Sequence, residues 1–107
     1  MIPSRYIVAV DQGTTGTTAI LVDGSGRVLW KTYAEIGQLY PQPGWVEHDP
    51  DELFSSCIDV IEELLEETET GPGEIVALGI ANQRETTVVW DRRTGRPVDN
   101  AVVWQCR

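Results

Sequence analysis

Short apolar, β-branched runs alternate with one long stripe of helical period, a pattern that predicts a layered α/β structure. Tyr6 to Val10 is almost wholly apolar, as in a strand covered on both faces. Thr17 to Val22 reads as a second strand beyond a glycine-threonine turn. Asp23-Gly24-Ser25-Gly26 is a hairpin signal, and it leads into a third strand over Arg27 to Glu35. Within that strand Val28 and Trp30 stand against charged neighbours. The three segments predict an antiparallel meander.

Ile36 to His48 reads as irregular, because Pro41, Pro43 and Gly44 exclude regular structure. The helix that follows is strongly marked. Asp49 can cap it, Pro50 suits its first position, and Glu52 can complete a capping box. Leu53, Phe54, Cys57, Ile58, Ile61, Leu64 and Leu65 fall on one stripe and predict its buried face, with the acidic run Glu62 to Glu69 opposite. Gly71-Pro72-Gly73 is expected to end it. Strands are predicted over Ile75 to Ile80, Thr86 to Trp90 and Ala101 to Trp104, with a turn at Arg92 to Arg96. The expected fold class is α/β, with a mixed sheet built on the three-stranded meander and a crossover helix.

Composition narrows the partners. The chain has 107 residues, 17 acidic against 8 basic, for a net charge of −9. Such a surface repels nucleic acid and anionic membranes. Glu47 to Glu74 is almost wholly acidic, while Arg84, Arg92, Arg93, Arg96 and Arg107 gather in the last quarter. An anionic ligand is therefore expected against the C-terminal part. Cys57 and Cys106 are too few for a disulfide scaffold and read as reduced packing residues. No zinc-ligand spacing, signal-peptide core or membrane span is visible, and the expected location is the cytoplasm.

Two segments and one tryptophan could carry chemistry. Asp11-Gln12-Gly13-Thr14-Thr15-Gly16-Thr17-Thr18 joins two strands. Glycines let the backbone approach a ligand and present N–H groups to an anion, and threonine hydroxyls add donors. An aspartate at the strand end could hold a hard cation beside phosphate oxygens. An ordinary hairpin of small residues fits the same pattern, and the turn is neither a Walker loop nor a dinucleotide fingerprint. In Ala81-Asn82-Gln83-Arg84-Glu85-Thr86-Thr87, adjacent charges leave a buried strand where open α/β sheets bind ligands. Arg84 can donate to hydroxyls and Glu85 can accept from them, so the pair could grip a vicinal diol; a solvated loop with an incidental ion pair is the alternative. Trp104 could pack against a short carbon skeleton or sit in a core. Trp45 is expected to pin its loop to the core, and His48 to make a local hydrogen bond.

Four runs together, Ile7 to Thr15, Tyr40 to Pro50, Asn82 to Thr87 and Asn100 to Arg107, resemble the FGGY carbohydrate kinase family over the whole chain, and in particular its glycerol-phosphorylating branch. The resemblance implies residues 1–107 are part of the N-terminal domain of an actin-like (ribonuclease H-like) ATPase fold. It implies transfer of the ATP γ-phosphoryl group to glycerol, giving sn-glycerol 3-phosphate, with Mg²⁺ as the metal. By the same resemblance, Thr14, Thr15, Gly16 and Thr18 would meet the nucleotide phosphates and Asp11 would position Mg²⁺. Arg84 and Glu85 would bind the glycerol hydroxyls, with Trp104 walling the carbons. No catalytic base falls among these residues; it and the adenosine-binding domain would lie further along a longer protein, one open to homo-oligomer formation. Thr18 departs from the pattern, since many members carry an arginine there. A kinase for another polyol or sugar, and a non-catalytic remnant, are the alternatives.

Overall fold

The computed structural model describes residues 5–83 and 86–103. Strands β1 (Tyr6–Gln12), β2 (Gly16–Val22) and β3 (Val28–Glu35) form the predicted antiparallel meander. Asp23 closes the second hairpin: one carboxylate oxygen accepts from the backbone N–H of Ser25 and Arg27, both at 2.9 Å, and from the Ser25 hydroxyl at 2.7 Å. Gly26 takes the positive φ of 87° that this turn needs. Strand β4 (Glu47–His48) and helix α1 (Pro50–Glu67) follow, then a 3₁₀ turn at Pro72–Glu74. Strand β5 (Ile75–Asn82) runs parallel to β1 at the edge of the sheet, in the order β3-β2-β1-β5. This is the expected mixed sheet.

Alternation within the strands decides what α1 covers. Val8 and Val10 on β1 and Ala19 and Leu21 on β2 face the helix and pack against Val60 and Leu64. Two buried polar contacts sit in the same layer. Thr17 Oγ1 lies 2.8 Å from Ser56 Oγ, and the Thr32 hydroxyl donates to the Val60 carbonyl at 2.7 Å. Each pairs a strand hydroxyl with the helix at one register, so neither group is left unsatisfied in the core. Cys57 is partly buried beside them, and burial pushes its thiol pKa up, as suits a packing residue. Among the described residues no helix is long and apolar enough to cross a membrane.

Several expectations are corrected. Asp49 does cap α1, accepting from the Asp51 N–H at 3.0 Å, with Pro50 at the first position. Glu52 completes no capping box; its carboxylate instead accepts from the Gly37 N–H at 2.6 Å and anchors the preceding segment. The fully buried face of α1 is Ser56, Val60 and Leu64, with Cys57, Ile61 and Leu65 of the expected stripe packed beside it; the Phe54 and Ile58 side of that stripe faces solvent, Phe54 being 70% exposed. The helix stops at Glu67, before the glycines, where the Thr68 hydroxyl and N–H both turn back to the Leu64 carbonyl and Glu69 takes a φ of 53°. The acidic residues of its last turns do face solvent, as expected. Ile36 to His48 is not wholly irregular: Leu39 bridges Glu47, and β4 pairs with β6 (Ala101–Val102) in a second, two-stranded sheet. The strand predicted over Thr86 to Trp90 reduces to single bridges at Thr87 and Trp90. Trp45 is exposed and does not pin its loop.

Candidate functional site

The parallel pairing of β1 and β5 builds the site. Asp11 stands opposite Ala81 and Gln12 opposite Asn82, so the turn after β1 and the loop after β5 leave the sheet side by side. The turn is closed by the Gly13 N–H donating to the Gly16 carbonyl at 2.9 Å. Its other carbonyls point back into the protein: Thr15 O accepts from the Ile36 N–H at 3.1 Å, and Thr14 O from Gln38 Nε2 at 2.7 Å. Among the described residues the N–H groups of Thr14 and Thr15 donate to no protein acceptor. The turn thus spends its acceptors inside and presents donors outward, which is the polarity an anion requires. The ring end of Tyr33 lies against Gly16, where a Cβ would stand.

Asp11 and Thr18 sit on the sheet face away from α1 and line a groove of about 510 Å³ with Lys31 of β3. Lys31 has no ion-pair partner among the described residues. It is the cation in this groove; Arg92, Arg93 and Arg96, expected to meet an anion, do not line it. A groove of similar volume at the start of α1 holds Asp49, Asp51 and Asp99 beside Arg96, and its carboxylates oppose an anionic ligand.

Arg84, Glu85 and Trp104 lie outside the described residues, as does Cys106. Their chain neighbours are firmly held. Gln83 Nε2 donates to Gln12 Oε1 at 2.9 Å and lies 3.4 Å from the Gly13 carbonyl. The Thr86 hydroxyl donates to Gln83 Oε1 at 2.8 Å, and Thr87 and Val102 exchange both backbone hydrogen bonds. Val103, next to Trp104, is buried.

Beneath both segments lies a residue whose role the sequence hid. His48 is 0% exposed, with Nε2 2.8 Å from Gln38 Oε1 and Nδ1 3.3 Å from Gln83 Nε2. No periodicity marks Gln38, His48 or Gln83; each is a polar residue in an irregular stretch or at a strand end. Burial lowers the His48 pKa from the ordinary 6.5, and the Glu52 charge only partly opposes this. The folded state therefore favours the neutral ring. Its contribution to stability is fully present above about pH 6.5, the unfolded value, and is lost as pH falls below it toward the depressed folded value. Thermal unfolding from pH 7.5 to 5.5 should show a fall in stability of at most about 1.4 kcal/mol per pH unit from this group. The fall should be absent in His48→Gln, and equal slopes in the two proteins would refute a neutral buried ring.

This strand-turn-strand unit, set beside a second loop at one end of a mixed sheet, defines the class as an α/β domain. Residues 6–107 match the FGGY family of carbohydrate kinases, N-terminal domain, and the chain belongs to that family. It is 53% identical over 103 residues to glycerol kinase 2 of Thermotoga maritima, which covers 96% of this chain and 21% of the relative. The glycerol kinase of Plasmodium falciparum, solved with ADP, superimposes with a TM-score of 0.85 at 30% identity, over 98% of this chain and 21% of that one. A xylulose kinase from Rhodospirillum rubrum superimposes at 0.83 with 26% identity, over 96% of this chain and 21% of that one. The fold is the actin-like, ribonuclease H-like arrangement, and the chain spans about a fifth of the length of these relatives.

Proposed function

We propose that the protein carrying this chain is a cytoplasmic, Mg²⁺-dependent kinase that transfers the γ-phosphoryl group of ATP to a terminal hydroxyl of glycerol. Residues 1–107 are part of its N-terminal domain. The observation that carries this reading is the adjacency of the donor-presenting turn at Gly13 to Gly16 and the loop after Gln83, locked together by the Gln83 to Gln12 hydrogen bond. Identity of 53% to a glycerol kinase favours glycerol over a sugar.

The roles follow from the chemistry of each group. Thr14, Thr15, Gly16 and Thr18 supply donors for the phosphate oxygens, with Lys31 as the nearby positive charge. Mg²⁺ is commonly held by one or two carboxylates, water and substrate phosphates; here the carboxylate would be Asp11. When bound, the metal neutralises charge on the phosphates. Arg84 donates to the polyol hydroxyls and Glu85 accepts from them, which fixes one hydroxyl in line with the phosphoryl group. Trp104 covers the apolar edge of the carbon chain. In the transfer a bond forms between the polyol oxygen and phosphorus as the bridge to ADP breaks, and a base outside these residues takes the hydroxyl proton.

The shared fold of the xylulose kinase supports another sugar or polyol as the second reading. The test is ADP formation by the full-length protein with glycerol and with a panel of polyols and ketoses. Glycerol should be preferred in kcat/KM by at least about tenfold, the scale of one lost site hydrogen bond or more. Preference for a ketose, or no phosphoryl transfer at all, would overturn the proposal.

A further inference from the structure

We infer that His48 is a positioning residue that couples the two halves of the site, holding the phosphate-facing turn through Gln38 and the polyol-binding loop through Gln83. The inference rests on the functional reading above for what each half binds, and on hydrogen-bond geometry for the coupling itself.

The geometry specifies the histidine from both sides. Gln38 places its amino group 2.7 Å from the Thr14 carbonyl, so its own carbonyl must face His48 at 2.8 Å. His48 Nε2 therefore carries the proton and donates. On the other side the Gln83 amino group reaches Gln12 Oε1 at 2.9 Å and Gly13 O at 3.4 Å, both acceptors. Gln12 is itself oriented by donating Nε2 to the Gly13 carbonyl at 2.9 Å. Gln83 thus turns an N–H toward His48 Nδ1, at 3.3 Å, and Nδ1 must accept. Two independent chains of donors and acceptors demand the same neutral tautomer.

Three separate parts of the chain meet at this ring, the segment after β3, β4 and the residue after β5, and Gln83 extends the network to the end of β1. Among the described residues no buried side-chain polar atom lacks a partner. A fully satisfied buried network rigidifies the elements it joins, and an apolar side chain of the same size would fill the space without tying them. β4 also seats the ring from behind, since it pairs with β6, the strand that precedes Val103. Losing one ring nitrogen therefore loosens Gln38 on the turn side or Gln83 on the loop side, while the direct Gln83 to Gln12 and Gln38 to Thr14 bonds remain.

Two substitutions in the full-length protein separate the halves. In His48→Gln the side-chain N–H can stand near the Nε2 position and still donate to Gln38, but nothing accepts from Gln83. In His48→Asn the side-chain carbonyl can stand near the Nδ1 position and accept from Gln83, but nothing reaches Gln38. We expect His48→Gln to raise KM for glycerol about fivefold, the scale of one neutral hydrogen bond, with KM for ATP changed less than about twofold. His48→Asn should do the reverse. KM values that move together in both variants, or in neither, would overturn the inference.

Should a variant fail to fold, ¹⁵N chemical shifts of the wild-type ring decide instead. A neutral ring protonated at Nε2 at pH 7 supports the coupling, and a ring protonated at Nδ1 or at both nitrogens overturns it. The same measurement separates this inference from the reaction assigned above. A wild-type protein that phosphorylates no glycerol overturns that assignment, while the ring's tautomer is read without any turnover.

Discussion

Asp11→Asn should lower kcat of the full-length protein at least about 100-fold, while KM for glycerol stays within about threefold. A hundredfold is about 2.7 kcal/mol of transition-state stabilisation, within the range expected when a metal-positioning charge is lost. The substitution keeps the shape and removes one negative charge from the groove shared with Thr18 and Lys31. Among the described residues the Asp11 carboxylate takes part in no hydrogen bond or ion pair, so the fold loses no contact with it. Asparagine also remains able to sit at the exposed strand end. The glycerol subsite is assigned to the neighbouring loop, which is why KM for the polyol is the control. Steady-state kinetics at several Mg²⁺ concentrations decide the matter. A kcat within threefold of wild type would remove Asp11 from the metal role.

The largest effect on stability is expected at Leu64. It is 0% exposed and packs with Val8, Val10, Ala19, Leu21 and Val60 in the layer between helix and sheet. Leu64→Ala should cost about 3 kcal/mol, from lost transfer energy plus the cavity left behind. That is a large share of the roughly 5–15 kcal/mol that holds a domain folded. Phe54→Ala, on the same helix, removes more atoms but from a side chain that is 70% exposed, and should cost less than about 0.5 kcal/mol. Urea unfolding of the two variants measures both. Comparable losses would mean that the Phe54 side of α1 is buried as well as the Val60 and Leu64 face.

That contrast marks how far the sequence could be read. The meander, the hairpin at Asp23 and the Asp49 cap were all legible, because each is written in residues close together along the chain. The facing of α1 was not. Its apolar residues cover more of the circumference than the sheet can bury, and Ser56 joins the core only because Thr17 waits opposite it. The second sheet was illegible for a related reason. Glu47–His48 and Ala101–Val102 are two residues each, too short for any period, and only their mutual pairing makes them strands. The donor turn at Gly13 to Gly16 was visible as a pattern open to two readings. What adds to the pattern is the capture of its carbonyls by Ile36 and Gln38, a long-range fact that supports the proposed anion role. Arg84, Glu85 and Trp104 were each open to two readings until family resemblance gave them roles; His48 was read only as making a local hydrogen bond, and Lys31 emerged once the chain was folded.

The parallel pairing of β1 with β5 also orders events in time. The meander and α1 draw on neighbours in sequence, whereas β5 must find β1 across the whole hairpin pair and the helix, a slower, non-local search. A chain emerging from the ribosome can therefore shape its Gly13 to Gly16 turn before the loop after β5 has been synthesised. Docking of β5 is then the moment at which two loops far apart in sequence come to share one end of the sheet.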